Sequence, residues 1–174
     1  MKRILNRLDS THQKLLDTVS PLAPQLFSQR PSANEWSVAE IVHHLHLVEE
    51  LVIKQMEQEL QKPPQQIGLL RKLIPISIVA LRLTRVKAPK AATPLEPPAK
   101  EENIAGLNST RAKLKELCAK QGEARLKKMV FIHPVLGQID GTATVSFVGY
   151  HELRHYKQIR DVLKKLAKVG SAAG

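Results

Sequence analysis

Apolar residues recur every three or four positions in four stretches of the chain, and this spacing is typical of one buried face of an α-helix. The pattern predicts helices over about residues 2–19, 37–61, 101–121 and 142–169. Prolines follow the first two stretches and Gly122 follows the third, where these residue types end helices. Four amphipathic helices predict an all-α fold, a four-helix bundle that occupies residues 1–174 as one domain.

The second predicted helix has a strong start signal. Ser37 and Glu40 have the spacing of a capping box, in which each side chain satisfies a free backbone amide of the first turn. Trp36 precedes the cap, and we expect its ring to pack against Ile41 or its neighbours, in the manner of a hydrophobic staple. The position of this helix in the chain is therefore well defined.

Residues 67–100, between the second and third predicted helices, form an insertion or connector. The apolar run from Leu73 to Leu81 is too short for a membrane span, which needs about 20 residues. It predicts a short extra helix near Pro75, and a basic amphipathic element that touches a membrane or a partner is the alternative. Prolines make the rest an extended connector, and we also expect a loop over residues 131–141.

Composition and charge exclude some kinds of site and disfavour some functions. The single cysteine, Cys118, excludes an internal disulfide and a four-cysteine metal site, and its helical position predicts a core residue rather than a nucleophile. The N-terminal residues resemble no signal peptide, which favours a cytoplasmic location. A net charge of +11 attracts nucleic acid or acidic lipid, but the basic residues are dispersed and only 3% of residues are aromatic. A dedicated nucleic-acid role is therefore disfavoured.

Two histidines, His151 and His155, lie four positions apart on the fourth predicted helix, which places their imidazoles on one face, one turn from each other. This is a metal-chelating spacing. A third imidazole would complete the ligand set that a catalytic zinc-type ion commonly takes, with one position open for water. The sequence therefore predicts a divalent metal site, for which zinc, nickel and iron are all suitable ions.

The second predicted helix offers three histidines, His43, His44 and His46, as the third ligand. His44 lies three residues after Ile41 and four before Val48, so it shares the apolar stripe of its helix. The other two lie on different faces, and that of His43 is the more solvated. His44 is therefore the predicted ligand, and the alternative is that the three stripe histidines are satisfied structural residues of the core.

Other polar residues near these histidines have two interpretations each. His133 is either a ligand or substrate contact or a structural loop residue, and Arg154 either binds an anionic substrate or forms a surface pair. Glu49 and Glu152 are either a general base or partners of the ligands, or solvated surface groups. His12 is expected to lie outside the apolar stripe of the first helix.

The segments Trp36–Leu45, His133–Gly137 and His151–Ile159 together resemble the DinB-like superfamily, including its YfiT-like members. The resemblance implies an up-down-down-up four-helix bundle, often dimeric, that holds a divalent metal ion with three histidines. The first ligand of the family lies eight positions after the tryptophan, which matches His44, and the other two match His151 and His155. Residues 67–100 are the least family-like part.

The resemblance implies a metal-dependent enzyme that acts on a small molecule, either a thiol S-transferase or a hydrolase. A low-molecular-weight thiol would then be a partner, and the protein would form a homodimer. The alternative is a non-catalytic bundle that binds metal, or whose basic surface meets a membrane, nucleic acid or protein. A binding role of this kind predicts affinity that falls steeply with salt.

Overall fold

The computed structural model describes residues 1–65, 75–80, 90–134 and 136–172, with side chains described up to residue 168. Five α-helices, two strands and two 3₁₀ helices make up the described chain. The elements are α1 (Lys2–Val19), α2 (Pro24–Ser28), α3 (Val38–Leu60), two 3₁₀ helices (Ile76–Ala80 and Lys90–Ala92), α4 (Lys100–Leu126), β1 (Val130–His133), β2 (Gly137–Asp140) and α5 (Gly141–Ala172).

The four long helices confirm the predicted bundle, and their ends follow the expected signals. Ser37 and Glu40 form both hydrogen bonds of the capping box at the start of α3. Arg30 adds an ion pair to the Glu40 carboxylate. Gly122 interrupts α4 with a φ of 73°, a left-handed conformation that glycine adopts without strain, and a further turn carries the helix on to Leu126. The prediction of an end at residue 121 was therefore one turn short.

Two short elements were not predicted. A single turn of helix, α2, begins at Pro24, where we expected only the end of the first helix. The expected loop over residues 131–141 was wrong in part, because β1 and β2 pair as an antiparallel hairpin. Gly137 opens the second strand with a φ of 69°. The first strand begins with three consecutive apolar residues and the second with a glycine, so neither shows the alternation of apolar and polar positions that indicates a strand.

Contacts between the helices define the bundle topology. Two pairs of helices are parallel, since early residues of one helix contact early residues of the other: Arg7 with Tyr150, His12 with Glu152, Asn103 with Ala39, and Arg111 with Glu49. Helices α1 and α4 are antiparallel, because Lys100 at the start of α4 binds the carbonyl oxygen of Ser20 beyond the end of α1. The order is therefore up-down-down-up.

This topology explains the long connector between α3 and α4. The two helices are parallel, so the chain must return along the full length of α3, whose 23 residues span about 35 Å. The 3₁₀ helix at Ile76–Ala80 agrees with the expected short helix near Pro75, and it packs against α5. Leu73, Leu81 and the basic residues beside this run lie outside the described residues.

Two clusters of buried apolar side chains form the core. One lies around Leu8, Met56 and Leu114, and the other around Leu15, Ile41 and Leu107. In the described part of the chain, no helix has a segment long and apolar enough to cross a lipid bilayer.

Candidate metal centre

Three imidazoles meet between α3 and α5. His44 contributes from α3, and His151 and His155 contribute from adjacent turns of α5. One ring nitrogen of each residue lies within 4.8 Å of one ring nitrogen of each of the others. The Nε2 atoms of His151 and His155 are 3.2 Å apart. Helical spacing and the packing of α3 on α5 thus bring together the three histidines selected from the sequence.

Hydrogen bonds fix the orientation of two of these rings. The Nδ1–H of His44 donates to the carbonyl oxygen of Ala92 at 2.7 Å, and Nδ1 of His155 lies 2.8 Å from Oε1 of Gln158. A carbonyl oxygen can only accept, so Nδ1 of His44 carries the proton and its Nε2 lone pair remains for a ligand. Such outer partners are characteristic of histidines that bind metal ions.

Burial favours the neutral form of His44 and His151, which is the form that binds metal. It lowers the pKa of His44, which the bond to Ala92 only partly offsets. The pKa of His151 lies well below its usual range, first because of burial and then because of His155 and His44 beside it. Both rings are therefore uncharged at neutral pH, with lone pairs available to a cation.

Aromatic rings flank the three imidazoles. The Trp36 ring centroid lies 5.1 Å from that of His44, and the Phe147 centroid lies 5.4 Å from that of His151. Trp36 thus contacts the ligand-bearing side of α3, where the sequence predicted only a staple at the helix start. An apolar wall on either side lowers the local dielectric and limits the access of water.

His133 is close to the centre but is not part of the three-nitrogen group. Its ring packs edge-on against Phe147 with the centroids 4.3 Å apart, and its Nδ1 accepts a hydrogen bond from the Leu136 amide. This bond closes the hairpin turn between β1 and β2. Among the described residues, the group of convergent ligands contains His44, His151 and His155, without His133.

The two remaining histidines of α3 face elsewhere. The rings of His43 and His46 stack on each other with centroids 6.3 Å apart. The His46 ring lies against Gly106 of α4, and its Nε2 is 3.7 Å from the Glu50 carboxylate. Of the three candidate histidines of α3, His44 is therefore the one that the helix directs toward α5.

The interpretation of Glu49 and Glu152 as solvated surface groups was wrong. Both carboxylates are buried rather than solvated, and both bind the guanidinium of Arg111 on α4. Burial raises the pKa of Glu49, and Arg111 opposes that shift. Arg154 affects the centre electrostatically, as a minor contribution to the low pKa of His151. The Cys118 thiol is in the core as predicted, and burial raises its pKa to about 11.

Sequence reasoning missed a second polar cluster beside the histidines. The prediction for His12 was wrong, because its ring is buried between Glu152 and Asn108, at 2.9 and 2.8 Å. The apolar stripe of Leu8, Leu15 and Val19 in fact continues through position 12, with steps of four, three and four residues. Arg111 lies at the corresponding position between Leu107 and Leu114 of α4. A polar residue within an apolar stripe was therefore the available signal.

Comparison with known proteins supports the fold. The sequence pattern of the DinB superfamily matches residues 7–159. The uncharacterized protein YuaE of Bacillus subtilis (strain 168) is 26% identical over 153 residues, which cover 84% of this chain and 89% of YuaE.

Two solved structures have the same architecture. One is TT2238, a four-helix bundle protein, with a TM-score of 0.62 and 21% identity over 92% of this chain and 98% of TT2238. The other is YfiT from Bacillus subtilis, with a TM-score of 0.65 and 16% identity over 95% of this chain and 87% of YfiT. YfiT is described as a probable metal-dependent hydrolase with an unusual four-helix bundle topology.

Proposed function

The chain belongs to the DinB superfamily, and we propose that it is a metal-dependent enzyme whose divalent ion is held by His44, His151 and His155. The observation that carries the proposal is the convergence of three imidazoles, because one ring nitrogen of each lies within 4.8 Å of one ring nitrogen of each of the others. Two of them have Nδ1 directed at an acceptor of the chain itself, which leaves Nε2 for the ion. Zinc, nickel and iron all accept such a ligand set.

The arrangement suits chemistry on a small molecule. A divalent ion with three neutral ligands keeps its full charge and lowers the pKa of a bound water or thiol toward neutrality. Trp36 and Phe147 flank the imidazoles and limit the access of water. We propose hydrolysis or transfer of a low-molecular-weight thiol as the reaction type. The description of YfiT as a probable metal-dependent hydrolase supports the first.

Metal content tests the proposal directly. Protein purified without a histidine tag or chelator is analysed for bound metal, alongside the variants His44→Ala, His151→Ala and His155→Ala. His43→Ala is the matched control, because it removes a neighbouring imidazole of α3 that stacks on His46 instead. We expect about one equivalent of metal in the wild type and in the control. Removal of a ligand should weaken binding by more than the roughly 10- to 100-fold typical of outer partners.

Turnover then separates the reaction types. The metal-loaded protein is assayed with ester and amide substrates, and with electrophiles in the presence of a small thiol such as cysteine. Turnover that depends on the thiol and disappears in His151→Ala identifies a transferase, and thiol-independent turnover identifies a hydrolase. A wild type that holds no metal, and takes up none of zinc, nickel or iron, would overturn the proposal.

A further inference from the structure

Arg111 is the centre of a buried charged cluster in the bundle. Its side chain is 5% exposed, and those of Glu49 and Glu152 are 2% and 1% exposed. The guanidinium meets an acceptor with every N–H it has. Nε and Nη2 bind the two oxygens of Glu49, Nη1 and Nη2 bind the two oxygens of Glu152, and Nη1 also binds the carbonyl oxygen of Leu8.

The cluster connects all four long helices of the bundle. Arg111 belongs to α4, Glu49 to α3 and Glu152 to α5, and the carbonyl oxygen of Leu8 belongs to α1. His12 of α1 extends the cluster by joining the Glu152 carboxylate to Asn108 of α4. One planar group therefore contacts α1, α3 and α5 from its place on α4.

Stability alone does not account for these buried charges. Desolvation of an arginine and two carboxylates is costly, and apolar side chains of similar volume often give an equally or more stable core. A bidentate guanidinium has a fixed shape, however, and it allows only a narrow range of geometries between the groups it binds. The cluster thus restricts how the helices that carry Glu49 and Glu152 can be arranged, and a metal centre formed by the same helices requires such a restriction.

The cluster and the imidazoles lie on the same two helices. Glu152 directly follows His151, and Glu49 lies on α3, the helix that carries His44. The rotation of α5 that places Glu152 against Arg111 also directs His151 and His155 toward α3. We propose that Arg111 is a positioning residue for the metal centre, which sets the spacing and rotation of α3 and α5 so that the three ligands meet. This inference rests on the proposed function.

An apolar replacement separates positioning from stability. The triple variant Arg111→Met, Glu49→Leu and Glu152→Leu removes the guanidinium together with both carboxylates, so that none of these three charges remains buried without its partner. We expect it to fold with a melting temperature at or above that of the wild type. Its zinc affinity, measured by competition with a chromophoric chelator, should fall roughly 10-fold or more. Its cobalt absorption spectrum should change as well, because the ligand geometry is altered.

A metal-free measurement makes the test independent of the proposed function. The ring centroids of His44 and His155 are 4.8 Å apart, so their ring protons should give a nuclear Overhauser effect in the wild type. We expect this effect to weaken or disappear in the triple variant. The control, Asp9→Ala with Lys115→Ala, removes an exposed ion pair between α1 and α4, and should keep both the effect and the zinc affinity.

The outcomes are distinguishable. A folded triple variant with wild-type zinc affinity and an unchanged ring contact would overturn the inference while leaving the metal centre in place. A wild type that binds no metal would overturn the proposed function, and the ring contact alone would then decide the inference. If the triple variant does not fold, Arg111→Lys keeps the charge and loses the planar double contact. The ring contact should weaken in Arg111→Lys too, and its persistence would refute positioning.

Discussion

The bundle interior holds two polar clusters that differ in how their polar atoms are satisfied. In the cluster around Arg111, each N–H of the guanidinium faces an oxygen of the chain. In the cluster of His44, His151 and His155, the ring nitrogens face one another, and Nε2 of His151 and Nε2 of His155 lie 3.2 Å apart. Every N–H of the Arg111 guanidinium thus has an acceptor in the chain, whereas the imidazole cluster brings three ring nitrogens close enough together to bind one ion.

This difference supports a structural role for the first cluster and the proposed metal-binding role for the second. Buried polar groups are ordinarily paired, because an unpaired one forfeits its hydrogen bonds to water. In the second cluster, one ring nitrogen of each imidazole lies within 4.8 Å of one ring nitrogen of each of the others, which suits three ligands of a single ion. A cation satisfies such a set, whereas the arginine cluster needs nothing added. A single mutation that breaks the arginine cluster should therefore cost more stability than one that removes an imidazole.

The largest expected effect on stability comes from breaking the buried charged cluster around Arg111. Arg111→Met leaves the carboxylates of Glu49 and Glu152 buried without their cation, and this should cost about 3–5 kcal/mol of unfolding free energy. Urea denaturation of metal-free protein at pH 7 measures the loss. His44→Ala should cost less in the same experiment, since it leaves no buried charge unpaired.

The control for Arg111→Met is a cation on the same helix. Lys115 is one turn further along α4 and forms an exposed ion pair with Asp9 of α1. Lys115→Met should change the unfolding free energy by about 1 kcal/mol or less. An Arg111→Met loss no larger than that of Lys115→Met would mean that the buried carboxylates of Glu49 and Glu152 do not depend on the Arg111 cation.

A smaller effect should follow from weakening the imidazole cluster of His44, His151 and His155 without replacing any of these three residues. Gln158→Ala removes the side chain that orients the His155 ring through its Nδ1. We expect roughly 10-fold weaker zinc binding with little change in the stability of the metal-free protein. Competition titration measures it, and Lys157→Ala, at the exposed neighbouring position, is the control. Equal affinities in the two variants would remove Gln158 from the centre.

The two clusters also differ in how well the sequence revealed them. His151 and His155 can be recognised from their spacing alone, because side chains four residues apart on a helix lie on one face, about one turn from each other. His44 could be chosen from three candidates because it shares a stripe with Ile41 and Val48. Apolar pattern and residue spacing are local properties of the sequence. A site formed by the apolar stripes of two helices could therefore be predicted from them.

The arginine cluster was out of reach because it depends on tertiary contacts. His12, Glu49, Arg111 and Glu152 each replace one apolar residue in the stripe of a different helix, and each taken alone is a single interruption. Only the packing of the four helices brings these interruptions to the same level. The hairpin at Val130–Asp140 was missed for a related reason, since its strands are defined by mutual pairing rather than by a local period.

The smallest expected effect concerns Glu40, a buried carboxylate at the start of α3 whose cation, Arg30, is half-exposed. Burial tends to raise the pKa of Glu40, but hydrogen bonds from Arg30 and Ser37 bring it below its ordinary value. The Arg30 side chain is 51% exposed, so the pair should contribute only about 0.5–1 kcal/mol. Glu40→Gln keeps the capping box, which accepts either residue, and loses the ion pair.

The pH dependence of Glu40→Gln follows from the direction of the shift. A carboxyl group whose pKa falls on folding stabilises the folded state above its unfolded pKa, about 4.3 for glutamate, and this contribution is lost as the pH falls through the folded value. The wild type should therefore exceed Glu40→Gln in melting temperature at pH 7, and the gap should close below about pH 4. Glu57→Gln, at an exposed position of α3, is the matched control. A gap that stays constant with pH would mean that Glu40 acts through the capping box alone, because charge would then contribute nothing at this helix start.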